Sequence, residues 1–117
     1  MIGHRPPRYD LRAAQQTDLE ISESCIRRAG QSLIRDRPIE VERYMRSLFR
    51  ALTPADFAHV EVIRPRAGRV IQGDVYGKRD SDIHWFIKFR VTGSTILMSC
   101  HEAEHDLTLA DGRVLRR

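Results

Sequence analysis

The stretch "IHWFIKFRVTGSTILMSCH", residues 83–101, decides the fold. Apolar and polar residues alternate on both sides of Thr92-Gly93-Ser94-Thr95, and β-branched and aromatic residues dominate each half, which predicts two strands joined by a tight turn. A two-residue loop with glycine at its first central position matches a type II′ turn, and such a turn sets the register. Val91 then faces Ile96, Phe89 faces Met98 and Ile87 faces Cys100, an apolar side that belongs in a core and to which Trp85 also belongs. The opposite side carries Arg90 across from Leu97, Lys88 across from Ser99 and Phe86 across from His101. That basic and aromatic side is available for chemistry.

Working back from this hairpin, "RVIQGDVYG" at 69–77 has the same two-residue period, so the chain beyond His59 reads as a sheet. Before it the period is helical. From Ile39 onward Val41, Tyr44, Met45, Leu48, Phe49 and Leu52 recur on one face while Glu42, Arg43, Arg46 and Arg50 point away from it. "LEIS" at 19–22 predicts a short strand, after which Ser22 or Ser24 caps a helix with Cys25, Ile26, Ala29, Leu33 and Ile34 on one side. "TPADFAH" at 53–59 predicts a second, shorter helical turn, with Thr53 as N-cap, Pro54 in the first position and Asp56 closing a capping box. After the long hairpin, "DLTLADGRVL" turns at Asp111-Gly112 into a smaller one that extends or covers the sheet. Helices first and strands afterwards define an α+β chain, one domain over residues 1–117.

At the end of the third strand lies His101-Glu102-Ala103-Glu104-His105, with Asp111 ten places after the first histidine, the spacing of a zinc protease. Such a site needs both histidines on one helical face. "STILMSC" carries strand signal up to the motif, Glu104 and Asp106 put charge where a buried zinc helix needs neutral residues, and Thr108 stands where a glycine would turn the chain. The run reads as an exposed acidic turn, and no metal ligand is assigned to it.

The chain has 117 residues, two cysteines and a formal charge of +4. The pI near 9.6 suits a polyanionic partner. Residues 59–100 carry seven Lys and Arg against four Asp and Glu, and Arg64, Arg66 and Arg69 crowd into "IRPRAGRV", a solvated loop or a phosphate contact. No apolar run is long enough to cross a bilayer, and "MIGHRPPRYD" lacks the apolar stretch of a signal peptide. A cytoplasmic protein with free thiols at Cys25 and Cys100 is expected.

The order of elements, with "RPPRYDL", "LEISESCIRRAGQSL", "LTPADF", "DVY", "FIKF" and "ILMSCH" in sequence over about residues 6–102, resembles the MqsR toxins of bacterial toxin–antitoxin pairs. The resemblance implies a RelE-like fold, with N-terminal helices on a curled, mainly antiparallel sheet, and leaves the chain from about residue 103 as an extension. It further implies a ribosome-independent endoribonuclease that cuts mRNA and is silenced by a cognate antitoxin; whether it forms a homodimer stays open. The family's site has a basic residue after the short-helix Asp-Phe, a glutamine before Asp-Val-Tyr, a tyrosine in the next strand and a basic residue at the end of the last. These positions fall on His59, Gln72, Phe86 and His101, with Gln72 one residue further from "DVY" than usual.

Two histidines at the family's basic positions fit metal-free RNA cleavage. One takes the 2′-hydroxyl proton, the 2′-oxygen attacks the adjacent phosphate, and the other protonates the departing 5′-oxygen; imidazole titrates near neutrality and serves both roles. No cofactor is required. Lys88 with Arg69 or Arg90 would meet the charge on the phosphate, and Phe86 and Tyr76 complete the substrate-binding set, Phe86 by stacking on a base. His4, His84 and His105 read as surface or hydrogen-bonded structural residues. Two other functions compete: a module of the same fold that binds RNA or protein without chemistry, favoured by the missing tyrosine, and a zinc hydrolase, which would need a helix over 98–106.

Overall fold

The computed structural model describes residues 5–33, 37–63, 68 and 70–117. Elements follow in the order α1 (Leu11–Gln16), β1 (Leu19–Ile21), α2 (Glu23–Leu33), α3 (Pro38–Arg50), a 3-10 turn (Pro54–Asp56), β2 (Phe57–Ile63), β3 (Ile71–Asp80), β4 (Ile83–Val91), β5 (Thr95–Glu102), β6 (Leu107–Thr108) and β7 (Val114–Leu115). The first five strands form one sheet in the order β1-β5-β4-β3-β2, antiparallel except for the parallel β1–β5 pair; β6 and β7 form a separate ribbon. The chain is therefore α+β, as its periodicities indicate. No helix of the described residues is long and apolar enough to cross a membrane.

Helix α3 forms where the apolar spacing places it, and Val41, Met45, Leu48 and Phe49 are its buried face. Ser22 rather than Ser24 starts α2, its hydroxyl accepting the Cys25 N–H at 3.2 Å. Ile34, assigned to that helical face by spacing, lies outside the described residues. The capping box of Thr53 and Asp56 is present, but the helical turn stops at Asp56 and Phe57–Ile63 is a strand. Alternation of Phe57, Val60 and Val62 with Glu61 is interrupted by a bulge at Ala58, which hid this strand from a two-residue period. The six-residue α1 is too short for periodicity to reveal; Asp10 caps it, its carboxylate accepting the Arg12 and Ala13 N–H groups.

The helices cover one face of the sheet. Trp85, Ile87, Phe89, Tyr76, Leu97 and Cys100 point into them and join Met45, Leu48 and Phe49 in the main core. Both thiols are free and buried, and burial pushes Cys100 up to about 12, so it behaves as a small apolar side chain at neutral pH. Asp74 is the buried charge of this face: its two oxygens accept the Arg8 and Tyr9 N–H groups at 2.8 and 2.9 Å, which fastens the N-terminal segment to β3. Burial raises the pKa of that carboxyl, and the two backbone donors partly offset the rise.

The turn after β4 differs from the sequence expectation. Val91 pairs with Thr95, so the loop is Thr92-Gly93-Ser94, and Gly93 lacks the positive φ that a type II′ turn requires. Phe89 faces Leu97 and Arg90 faces Ile96; Met98 is the extra residue of a bulge, and from Lys88–Ser99 through Phe86–His101 the expected pairing holds. The bulge reverses the sides of 96–98, so Leu97 enters the core while Ile96 and Met98 join the outer face. Burial of Leu97 decides the register against the preferred two-residue turn.

The second hairpin forms where Asp111-Gly112 places it, with Gly112 at φ 93°. It covers the sheet and does not extend it. Leu107 and Leu109 pack with Ala58, Val75, Phe86 and Leu115 into a small second core on the outer face, and the Ala110 N–H donates to the Phe57 carbonyl at 2.8 Å.

Candidate functional site

Strand alternation on β3, β4 and β5 sorts the expected site residues between the two faces. Phe86, Lys88 and Arg90 on β4 and His101 on β5 share the outer face, as the register Phe86–His101 and Lys88–Ser99 requires. His59, exposed beside the β2 bulge and paired with Val75, is also on that side. Gln72 and Tyr76 are not. Both share the phase of Asp74, on the helix side of β3. Tyr76 is 1% exposed between the Phe57 and Phe89 rings, at centroid distances of 5.5 and 5.7 Å, and is packed in the main core. Burial raises its phenol pKa, with Asp74 adding to the rise. Gln72 pairs with Val62, and its carbonyl accepts the Tyr9 hydroxyl at 3.3 Å. Arg69, with Arg64 and Arg66, lies outside the described residues.

The two histidines belong to different parts of the outer face. His59 is on β2 and His101 on β5, with β3 and β4 between them. Three strand spacings amount to about 14 Å measured along the sheet. A base and an acid serving one phosphodiester must each reach within about 3 Å of oxygens on the same phosphorus. The small core of Val75, Leu107 and Leu109 rises between them, and the sheet does not bring the two rings to one phosphate.

His101 is held with some care. Its ring lies parallel to Phe86, centroids 5.2 Å apart and planes 18° from each other. Its Nδ1 is 2.9 Å from the Glu102 carbonyl, which can only accept, so Nδ1 carries the proton. In the neutral ring Nε2 then bears the lone pair. Phe86, partly buried, is in turn packed against the hairpin core, and its ring supports His101.

Beside His101 the sheet has an open edge. Strand β1 pairs with β5 only from Thr95 to Leu97. Past Leu97 the edge of β5 faces α2 across a cleft of about 210 Å³ lined by Ser24, Cys25, Arg28, Met98, Ser99, Cys100 and His101. Arg28 stands at its rim in an ion pair with Glu104. Neither Ser24 nor Arg28 carries a motif; they share the lining of this cleft with His101 because α2 packs on β5, a relation no spacing rule encodes. On the open outer face Lys88 is bonded to Glu61 at 2.8 Å, so its charge is already matched, and Arg90 is partly exposed across from Ile96.

The His-Glu-x-x-His run is not on a helix. Strand β5 continues through His101 to Glu102, and His105 follows in an exposed bend. Asp111 is bonded to Arg113, which holds its carboxyl below the usual range. Among the described residues no three His, Cys, Asp or Glu side chains gather as a metal site. His84, expected at the surface or hydrogen-bonded, is instead buried beneath the second hairpin, with no hydrogen-bond partner for either ring nitrogen among the described residues.

Compared with models of protein families, with curated proteins and with solved structures, the chain matches none.

Proposed function

We propose that this chain is a metal-independent endoribonuclease of the RelE-like, MqsR kind, acting on mRNA with His101 as its general base and held at rest by a cognate antitoxin. The observation that supports this is the mounting of His101: a ring steadied on Phe86, a protonated Nδ1 tied to the Glu102 carbonyl, and a place in the lining of the cleft that Arg28 also lines. A strand of RNA laid along the open edge of β5 would present a 2′-hydroxyl to Nε2. The base takes that proton, the 2′-oxygen bonds to the adjacent phosphorus, and the bond to the 5′-oxygen breaks, leaving a 2′,3′-cyclic phosphate; the leaving oxygen takes a proton from water on the open side. Arg28 at the rim of the cleft, drawn from Glu104 by the RNA, is the cation nearest the phosphate, and Arg90, four residues along β4 from Phe86, meets the RNA further along. His59 is too far along the sheet to protonate that leaving group and contacts RNA further along the strand.

A binding module of the same fold, without chemistry, is favoured by one observation: Gln72 and Tyr76 face the helices and His59 lies three strands from His101. The experiment that separates the two is cleavage of a long mixed-sequence RNA in excess EDTA by the antitoxin-free protein, with His101→Gln and His59→Gln beside it. The nuclease predicts fragments ending in 2′,3′-cyclic phosphate, a loss of about 100-fold or more in His101→Gln, and most activity kept in His59→Gln. Intact RNA that is nevertheless retained by the folded protein would establish the binding module instead.

A further inference from the structure

We propose that the β6–β7 hairpin is an acid-released cover on the outer face of the sheet, seated on the neutral ring of His84 and let go when that ring takes a proton. The hairpin belongs to the part of the chain beyond the toxin resemblance, and the proposal stands whatever the outer face does.

His84 is on β4, across from Arg79, and is 2% exposed. Neither of its nitrogens has a hydrogen-bond partner among the described residues. The hairpin closes over the ring through two leucines. A Cβ added at Gly77, the neighbouring outer position of β3, would stand 2.6 Å from Leu107 Cδ2, 3.0 Å from Leu115 Cδ1 and 3.3 Å from His84 Nε2. Glycine is needed at 77 so that ring and leucines can meet over the backbone. A neutral imidazole tolerates that hydrocarbon lid at the cost of unmade hydrogen bonds; an imidazolium would place a charge and two unmet donors under it.

The charged groups around the ring come from three segments. Arg79 faces it from β3. Arg116, after β7, presents a backbone that makes no hydrogen bond of ordinary geometry to the ring, and its carbonyl already accepts the Arg79 guanidinium. Asp106, ahead of β6, is occupied by the Arg116 side chain and the Arg117 N–H. Burial first and Arg79 second lower the pKa of His84, and the Arg116 backbone and Asp106 pull the other way without offsetting them. A base whose pKa is lowered by docking favours the docked form above its free pKa of about 6.5, and that preference is lost as the pH falls through the lower, docked value. Release would uncover Ala58, Val75 and the ring of Phe86 that supports His101.

Hydrogen–deuterium exchange of the full chain between pH 7.5 and 5.0, corrected for intrinsic rates, tests this at the Leu109 and Ala110 amides, which donate to Arg113 and Phe57. The expected result is a loss of protection that approaches tenfold per pH unit as the pH falls from about 6.5 toward the docked pKa and levels off below it, absent in His84→Leu. Gly77→Ala should expose both amides at either pH and report the released state. Constant protection in the native chain, or the same pH response in His84→Leu, would overturn the proposal. Should His84→Leu not fold, the NMR titration of the His84 ring decides: a midpoint at or above that of an ordinary histidine refutes it.

Discussion

The two faces of the sheet are built on different terms. The inner face is closed by α2 and α3 and holds the aromatic cluster of Phe49, Tyr76, Trp85 and Phe89. The outer face is closed only where β6 and β7 lie on it, over a small core around Val75 and Leu109, and is open along β5. Large buried area with long-range packing makes the inner face cooperative, and a few leucines on a short ribbon make the outer cover separable. His101 stands where cover and open edge meet. Its ring rests on Phe86, and Phe86 on the hairpin, so the proposed base is steadied by a short two-stranded ribbon.

Truncating each face in turn would break or sharpen that contrast. Phe89→Ala removes a ring at 0% exposure that touches Tyr9, Phe49 and Tyr76, and should cost about 3–5 kcal/mol in a denaturant titration. Leu109→Ala, at 1% exposure, should cost about 2 kcal/mol and do so locally. Exchange at residues 107–115 would rise while the global midpoint barely moves; equal global losses in the two variants would show that both faces unfold as one. Asp74→Asn replaces one of the two acceptors facing the Arg8 and Tyr9 N–H groups by a donor, and a loss of about 1–3 kcal/mol with early proteolysis near residue 10 is expected. The smallest effect belongs to the open part: Glu61→Gln unpairs Lys88 in a partly exposed bridge, worth less than about 1 kcal/mol. Its use is functional, since freeing Lys88 should tighten RNA binding at low salt if RNA crosses this face, and unchanged affinity would place the RNA path elsewhere.

How much of this was legible varied with the length of the pattern. Helix α3 could be read because Val41, Tyr44, Met45, Leu48 and Phe49 keep one phase along it, and β4 because its alternation is unbroken from Ile83 to Val91. Strand β2 was hidden by the Ala58 bulge, and the phase of 96–98 by the bulge at Met98, since one extra residue inverts a two-residue period. The outer placement of Phe86, Lys88 and His101 survived because their pairs lie on the side of that bulge away from the turn, and that of Arg90 because the alternation of β4 itself is unbroken, although its partner became Ile96. Arg28 could not be found at all; an arginine on a helix face carries no sign of which strand edge it will meet.

The sequence by itself determined the helices-then-strands order, the buried thiols, the small hairpin at Asp111-Gly112 and the strand that carries His101, because each follows from local spacing and local turn chemistry. Only the tertiary structure decided that Tyr76 and Gln72 face the helices, that His59 and His101 stand three strands apart, and that the second hairpin folds back over His84. Those outcomes depend on which surfaces find one another when apolar area is buried, and bulges and long-range packing set that choice without leaving a period in the chain.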